Sequence, residues 1–92
     1  METMPVTEIL ERTRAYVRDN FLYMRPDFVL GDDDALLAKG VIDSMGVMEM
    51  IGFLTSEFGI AVADEEVTEE NLGSVSAIAR FVSGKARQTE AA

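Results

Sequence analysis

The chain has no cysteine, no histidine and no tryptophan, and only two prolines in 92 residues. Without cysteine there is no disulfide, no thiol nucleophile and no thiolate to hold a metal. Without histidine there is no zinc site of the usual kind and no His-based acid–base pair or triad. Positive charge is scarce as well: 8 Lys and Arg stand against 17 Asp and Glu, a formal net charge of −9. That balance argues against nucleic acid as a partner, since phosphate contacts need clustered Lys and Arg. It suits partners with basic docking surfaces, met in fast, salt-sensitive encounters. No apolar run approaches the roughly 20 residues of a membrane span. The opening "METMPVTEILERTRAYV" lacks the basic-then-apolar order of a signal peptide. A cysteine-free chain without such a leader is expected in the cytoplasm.

What is present is the material for one small domain covering 1–92, with an ordered core over about 5–87 and a frayed tail over 88–92. Helical periodicity appears in three places, and strand alternation in none. The first helix runs from Pro5 or Val6 to Tyr23, with Val6, Ile9, Leu10, Thr13, Val17 and Phe21 on one face. Glu8 and Arg12 form an i,i+4 pair on the other. A long irregular stretch over 24–43 follows, broken by Arg25-Pro26, Gly31 and Gly40. Its Phe28, Val29, Leu30, Leu36, Leu37, Val41 and Ile42 are too apolar for a free linker and are expected to pin it over the helices. Asp32-Asp33-Asp34 lacks the alternating acids, glycine and distant glutamate of a calcium loop. We read it as a turn, with Asp34 capping a helical turn through Leu37, and assign no metal site. Thr68 caps a short third helix ended by Gly73. Ser74 caps a last helix with the stripe Val75, Ile78, Ala79 and Val82, and Lys85 and Arg87 suit the dipole at its end. The fold class is all-α: a small four-helix bundle with a long first loop and a short third helix.

The second helix, in "KGVIDSMGVMEMIGFL", is the unusual one. It starts at Ser44 and ends near Phe58, with Gly59 as its stop. At about 100° per residue, Val47, Met50, Ile51, Leu54 and Phe58 form a core stripe. Met45, Met48 and Gly52 project well away from it. Either they pack under the long loop, since methionine fills irregular gaps, or they form an exposed, adaptable binding patch. Gly52 then lets a partner approach the backbone. Ser44 allows three roles. It can cap the helix, although Val47 stands where a capping box needs Glu or Gln. As a catalytic nucleophile it lacks a base. As an acceptor it offers a hydroxyl at a helix N-terminus, where free N–H groups and the dipole tolerate an attached phosphate.

"GVIDSMGVMEMIGFLTSEFGI" resembles the signature of acyl and peptidyl carrier proteins, in which Asp-Ser-Leu or Asp-Ser-Met opens the second helix and an "E-F-G-I" run ends it. The resemblance covers roughly Val6 to Val82, and the local "D-S-M-G" is also similar to D-alanyl carriers. It implies a bundle of the acyl carrier protein type and a non-catalytic, freestanding, monomeric carrier. On that footing Ser44 receives 4′-phosphopantetheine from coenzyme A through a phosphopantetheinyl transferase. The arm then holds acyl or aminoacyl intermediates as thioesters. Asp43 matches the acid of the motif and helps position that transfer. Met45, Met48, Glu49 and Gly52 match the partner-recognition helix. The implied partners are adenylation or ligase enzymes, ketosynthases and acyltransferases of a biosynthetic pathway. Only Glu49 and Glu57 make this second helix acidic, which favours apolar over electrostatic docking. The competing expectation is an unmodified helical interaction module that binds through Met45 and Met48.

Overall fold

Pro5 opens the first helix from outside it. At φ −59° and ψ 146° its carbonyl accepts the N–H groups of Glu8 (3.0 Å) and Ile9 (3.1 Å). The computed structural model describes the backbone of residues 4–91 and the side chains of residues 4–86. Within them the chain forms α1 (Val6–Phe21), α2 (Ser44–Phe58), a single 3₁₀ turn (Asp64–Glu66), α3 (Glu69–Leu72) and α4 (Val75–Ala91), with no strand among the described residues. This is an all-α bundle with a long first loop and a short third helix.

The core is built around α4, against which α1, α2 and α3 all pack. Its expected stripe, Val75, Ile78, Ala79 and Val82, is fully buried. From α1 the buried residues are Ile9, Thr13 and Val17, with Leu10, Tyr16 and Phe21 packed against them. Val6, expected on that face, is largely exposed. The helix also stops two residues short of Tyr23, because Leu22 turns its side chain into the core at a non-helical φ of −117°. Burying Leu22 outweighs another turn of helix.

Long side chains tie the flank of α1 to α2. Tyr16 stacks on Phe53 (centroids 4.0 Å apart), and its hydroxyl donates to the Glu49 carbonyl at 3.2 Å. Arg12 reaches Glu57 at 2.6 Å and the expected partner Glu8 at 2.7 Å. Burial, with the Glu49 charge behind it, raises the Tyr16 phenol above its ordinary pKa and keeps it a donor. At the other end Lys85, expected to serve the dipole at the end of α4, bonds Glu66 at 2.8 Å and stands before the last turn of a helix that runs to Ala91. That contact and the Ala63 N–H hold the Glu66 carboxyl below its ordinary pKa, so the tie is present above that range and is lost as pH falls.

The loop over 22–43 is strapped down at both of its inner turns. The Leu36 N–H donates to the Gly73 carbonyl (2.9 Å), and the Ser76 N–H donates to the Asp32 carbonyl (2.8 Å). Leu30, Leu36, Val41 and Ile42 are buried, as expected of pinning residues. Two others point the wrong way: Val29 is 89% exposed and Leu37 50% exposed. Leu36 takes the inward position and the turn after it carries Leu37 outward. The triple aspartate is a turn, but Asp34 does not cap Leu37. Its carboxylate accepts the Gly31 N–H at 2.7 Å, and Asp32 pairs with Arg14. Finally, α4 continues to Ala91, four residues beyond Arg87, where the sequence offers no glycine or proline to stop it. The part of the frayed-tail expectation that concerns Ala92 lies outside the described residues.

Thr13 is the weak point of this core: its Oγ1 is buried and has no hydrogen-bond partner among the described residues. An unsatisfied buried hydroxyl costs about 1–3 kcal/mol. Thr13→Val removes it with little change of shape, and we expect a gain of about 1 kcal/mol, a rise of roughly 4–8 °C in thermal midpoint by calorimetry. A lower midpoint would show that the hydroxyl is satisfied after all.

Candidate functional site at the mouth of the second helix

Val41 and Ile42 bring the chain to the site. Both are buried, and their N–H groups share the Leu36 carbonyl (2.9 and 3.3 Å). Asp43 then leaves the loop in extended conformation (φ −111°, ψ −175°), and its Oδ1 accepts the Gly46 N–H at 2.8 Å. Asp43 is therefore the N-cap of α2. This settles one of the three roles open to Ser44: it is not the cap. Ser44 occupies the first helical position, and its side chain is exposed with no hydrogen bond to any described residue. A carboxylate one residue earlier satisfies the helix start and leaves the hydroxyl free.

Gly46 has a packing reason. A Cβ there would come within 3.1 Å of Phe21 Cε1 and 3.2 Å of Ile42 Cβ, so glycine lets the end of α1 close against the first turn of α2. Gly52 has no such reason, because a Cβ would meet nothing within 4 Å. In an exposed helix interior it costs about 1 kcal/mol relative to alanine. Gly59, at φ +68°, is the left-handed stop expected of it.

The two faces of α2 separate as their spacing requires. Met50 and Leu54 are buried, while Val47, Ile51 and Phe58 are half-buried against the core. On the other face Met45 is 78% and Met48 67% exposed, and Glu49 and Gly52 are exposed beside them. Of the two alternatives, the exposed patch is the one found. Glu57 is occupied by Arg12, so Glu49 is the acid of α2 left without an ion-pair partner among the described residues.

Beside Ser44 opens a cleft of ≈ 290 Å³. Leu37, Val47, Met48, Val67 and Leu72 line it together with Thr68, Glu69 and Gly73. Leu37 and Val67 were not singled out for the site from the sequence. They are exposed apolar residues from two connectors, and nothing in the local pattern of either connector points to α2. Among the described residues no group of three or more carboxylates comes together as a metal site, and no helix is long and apolar enough to cross a membrane.

Compared with known proteins, the chain matches no family model and no curated protein. The functional reading therefore rests on the residues themselves.

The division between Asp43 and Ser44 can be measured. Asp43→Ala should lower stability by about 1 kcal/mol, the usual loss for an N-cap. Ser44→Ala should change it by less than about 0.5 kcal/mol, as for an uninvolved surface position. Urea unfolding of both variants decides: a larger loss for Ser44→Ala than for Asp43→Ala would give capping back to Ser44.

Proposed function

We propose that the chain is a carrier protein, with Ser44 as the attachment point for 4′-phosphopantetheine taken from coenzyme A. The observation that carries this reading is the exposed, unpartnered Ser44 hydroxyl at the mouth of α2, with its capping duty taken by Asp43. A serine in a chain without histidine has no base of its own. The base belongs to a phosphopantetheinyl transferase. The hydroxyl proton passes to that enzyme, Ser44 Oγ bonds to the phosphorus, and adenosine 3′,5′-bisphosphate leaves.

The residues present fit such a group. Free N–H groups and the positive dipole end at the start of α2 favour the phosphodiester charge. Leu37, Met48, Val67 and Leu72 offer an apolar lining beside it, and Thr68 a hydroxyl. The bound group supplies the thiol that this cysteine-free chain lacks and so carries acyl or aminoacyl cargo as a thioester. Tethering raises the effective concentration of that cargo at each partner site. Met45, Met48 and Gly52 form a docking face that is apolar and open to close approach, with Glu49 as its charge. This supports docking to dedicated adenylation or ligase enzymes, ketosynthases or acyltransferases more through apolar contact than through acid–base steering. The carrier acts as a monomer in the cytoplasm on this reading, and is itself no catalyst.

The second reading, an unmodified interaction module, draws on the same exposure of Met45 and Met48. One experiment parts the two. Incubation with coenzyme A and a broad-specificity phosphopantetheinyl transferase should add one phosphopantetheine to the intact mass of the wild type and nothing to Ser44→Ala. No addition to either leaves the interaction module. The docking face has its own test. Because Met48 is exposed, Met48→Glu should leave the thermal midpoint unchanged while lowering kcat/KM for loading about tenfold, the scale of one interface anchor. A sharp fall in midpoint would mean that Met48 is buried by the fold.

A further inference from the structure

Two apolar side chains beside Ser44 belong to neither the core nor α2. Leu37 is 50% and Val67 39% exposed, and neither packs against the buried cluster. They come from different connectors, yet both line the ≈ 290 Å³ cleft that includes Ser44. Leu37 also lines a hollow of ≈ 400 Å³ together with Asp43, and it is the residue that the two spaces share. Backbone bonds fix both positions. The Leu37 carbonyl accepts the N–H of Gly40 (3.1 Å), which stands at φ +71°, and the Val67 N–H donates to the Asp64 carbonyl at 3.2 Å. The groove at the end of α1 shares no lining residue with either space.

The part of the chain that builds this mouth carries charge of one sign. No lysine or arginine stands between Lys39 and Arg80, whereas eight of the 17 acids do. Of those eight, Glu57 is paired with Arg12 and Glu66 with Lys85. The other six have no ion pair among the described residues. Lys39, at the edge of the segment, is itself engaged by Asp34 at 3.6 Å. Glu69 lines the cleft, and Glu70 follows it in the first turn of α3.

We propose that Leu37 and Val67 are contacts for the enzyme that modifies Ser44, whose surface is apolar where it meets them and cationic opposite Glu69 and Glu70. This rests on Ser44 being the attachment point, and adds the residues by which the transferase holds the chain. The reason is reach. Transfer to Ser44 Oγ requires the phosphorus within about 3–3.5 Å of that oxygen, so the enzyme that brings coenzyme A covers the surface around it. Residues that share a cleft with Ser44 fall under that enzyme. An enzyme that acts on the far end of the attached arm is under no such constraint. The two fixed apolar side chains give the transferase contact area, and the unpaired acids speed and orient its approach. A second copy of this chain would bring the same acids against them.

Transfer from coenzyme A by the broad-specificity phosphopantetheinyl transferase is followed by intact mass, with the chain and coenzyme A varied in turn. Leu37→Ser and Val67→Ser should each raise the KM for the chain about threefold or more, and together about tenfold or more. The kcat, the KM for coenzyme A and the thermal midpoint should stay as in the wild type. Should Leu37→Ser lower the midpoint, Val67→Ser alone carries the test. Glu69→Gln with Glu70→Gln should raise the KM for the chain about twofold or more, a difference that vanishes at high salt. Val29→Ser, at a residue 89% exposed that lines neither space, should change nothing. An unmodified wild type would remove the reading of Ser44 and this proposal with it. With the wild type modified, any of four results overturns the proposal alone and leaves Ser44 as the attachment point. These are an unaltered KM in the Leu37 and Val67 variants, an equal loss in Val29→Ser, a loss confined to the KM for coenzyme A, or no effect of the two glutamine substitutions.

Discussion

The backbone bond from Leu36 to Gly73 is the contact on which the rest of this bundle depends. It ties the middle of a loop of some twenty residues to the junction of α3 and α4, and the buried Leu36 side chain locks the same point from inside. A free loop of that length in so small a domain would carry unpaired backbone groups and too much entropy. Once Leu36 is fixed, its own carbonyl receives Val41 and Ile42, and those two residues deliver Asp43 and Ser44 to the start of α2. The position of the candidate site is thus set less by the helix that bears it than by a strap reaching across to α4. The same strap turns Leu37 outward and so supplies one wall of the cleft.

Helix α2 shows how a short segment can serve packing and display together. Its core face needs only Met50 and Leu54 fully buried, with Val47, Ile51 and Phe58 closing the sides. Gly46 lets α1 come close, so the first turn is held firmly. Having secured that turn, the helix can leave Met45 and Met48 in water. Exposed methionines are unfavourable for solubility, and a glycine without a steric purpose weakens the helix. Both features lie on one face, beside an unencumbered serine. A stability-only account of α2 explains Gly46 and Gly59 but not Gly52, Met45 or Met48.

Much of this was legible in the sequence because it is written locally. The ends of α2, the Thr68 and Ser74 caps and the α4 stripe each depend on a few adjacent residues acting on backbone N–H groups or on one helix period. The outward turns of Val29 and Leu37 were not legible, since side chains in an irregular loop follow no period. The Tyr16–Phe53 stack joins two helices across the loop, and the spacing within α1 or α2 alone could not announce it. For the same reason Ser44, Met45 and Met48 could be named from one stretch, while Leu37 and Val67 could not. Choosing Asp43 over Ser44 as the cap also required geometry: both residue types cap well, and only the extended Asp43 backbone with its bond to Gly46 decides between them.

Charge completes the separation of surfaces. A net charge far from zero opposes self-association in general, and this chain carries −9. That excess is not spread evenly over the features described here. Of the two acids of α2, Glu57 is paired with Arg12, which leaves Glu49 as the charge beside Met45 and Met48. The groove at the end of α1 carries both signs, with Arg14, Arg18 and Arg25 beside Asp19. Of the large apolar side chains left exposed, Leu37, Met45, Met48 and Val67 gather about the start of α2, and burial in the core accounts for none of them.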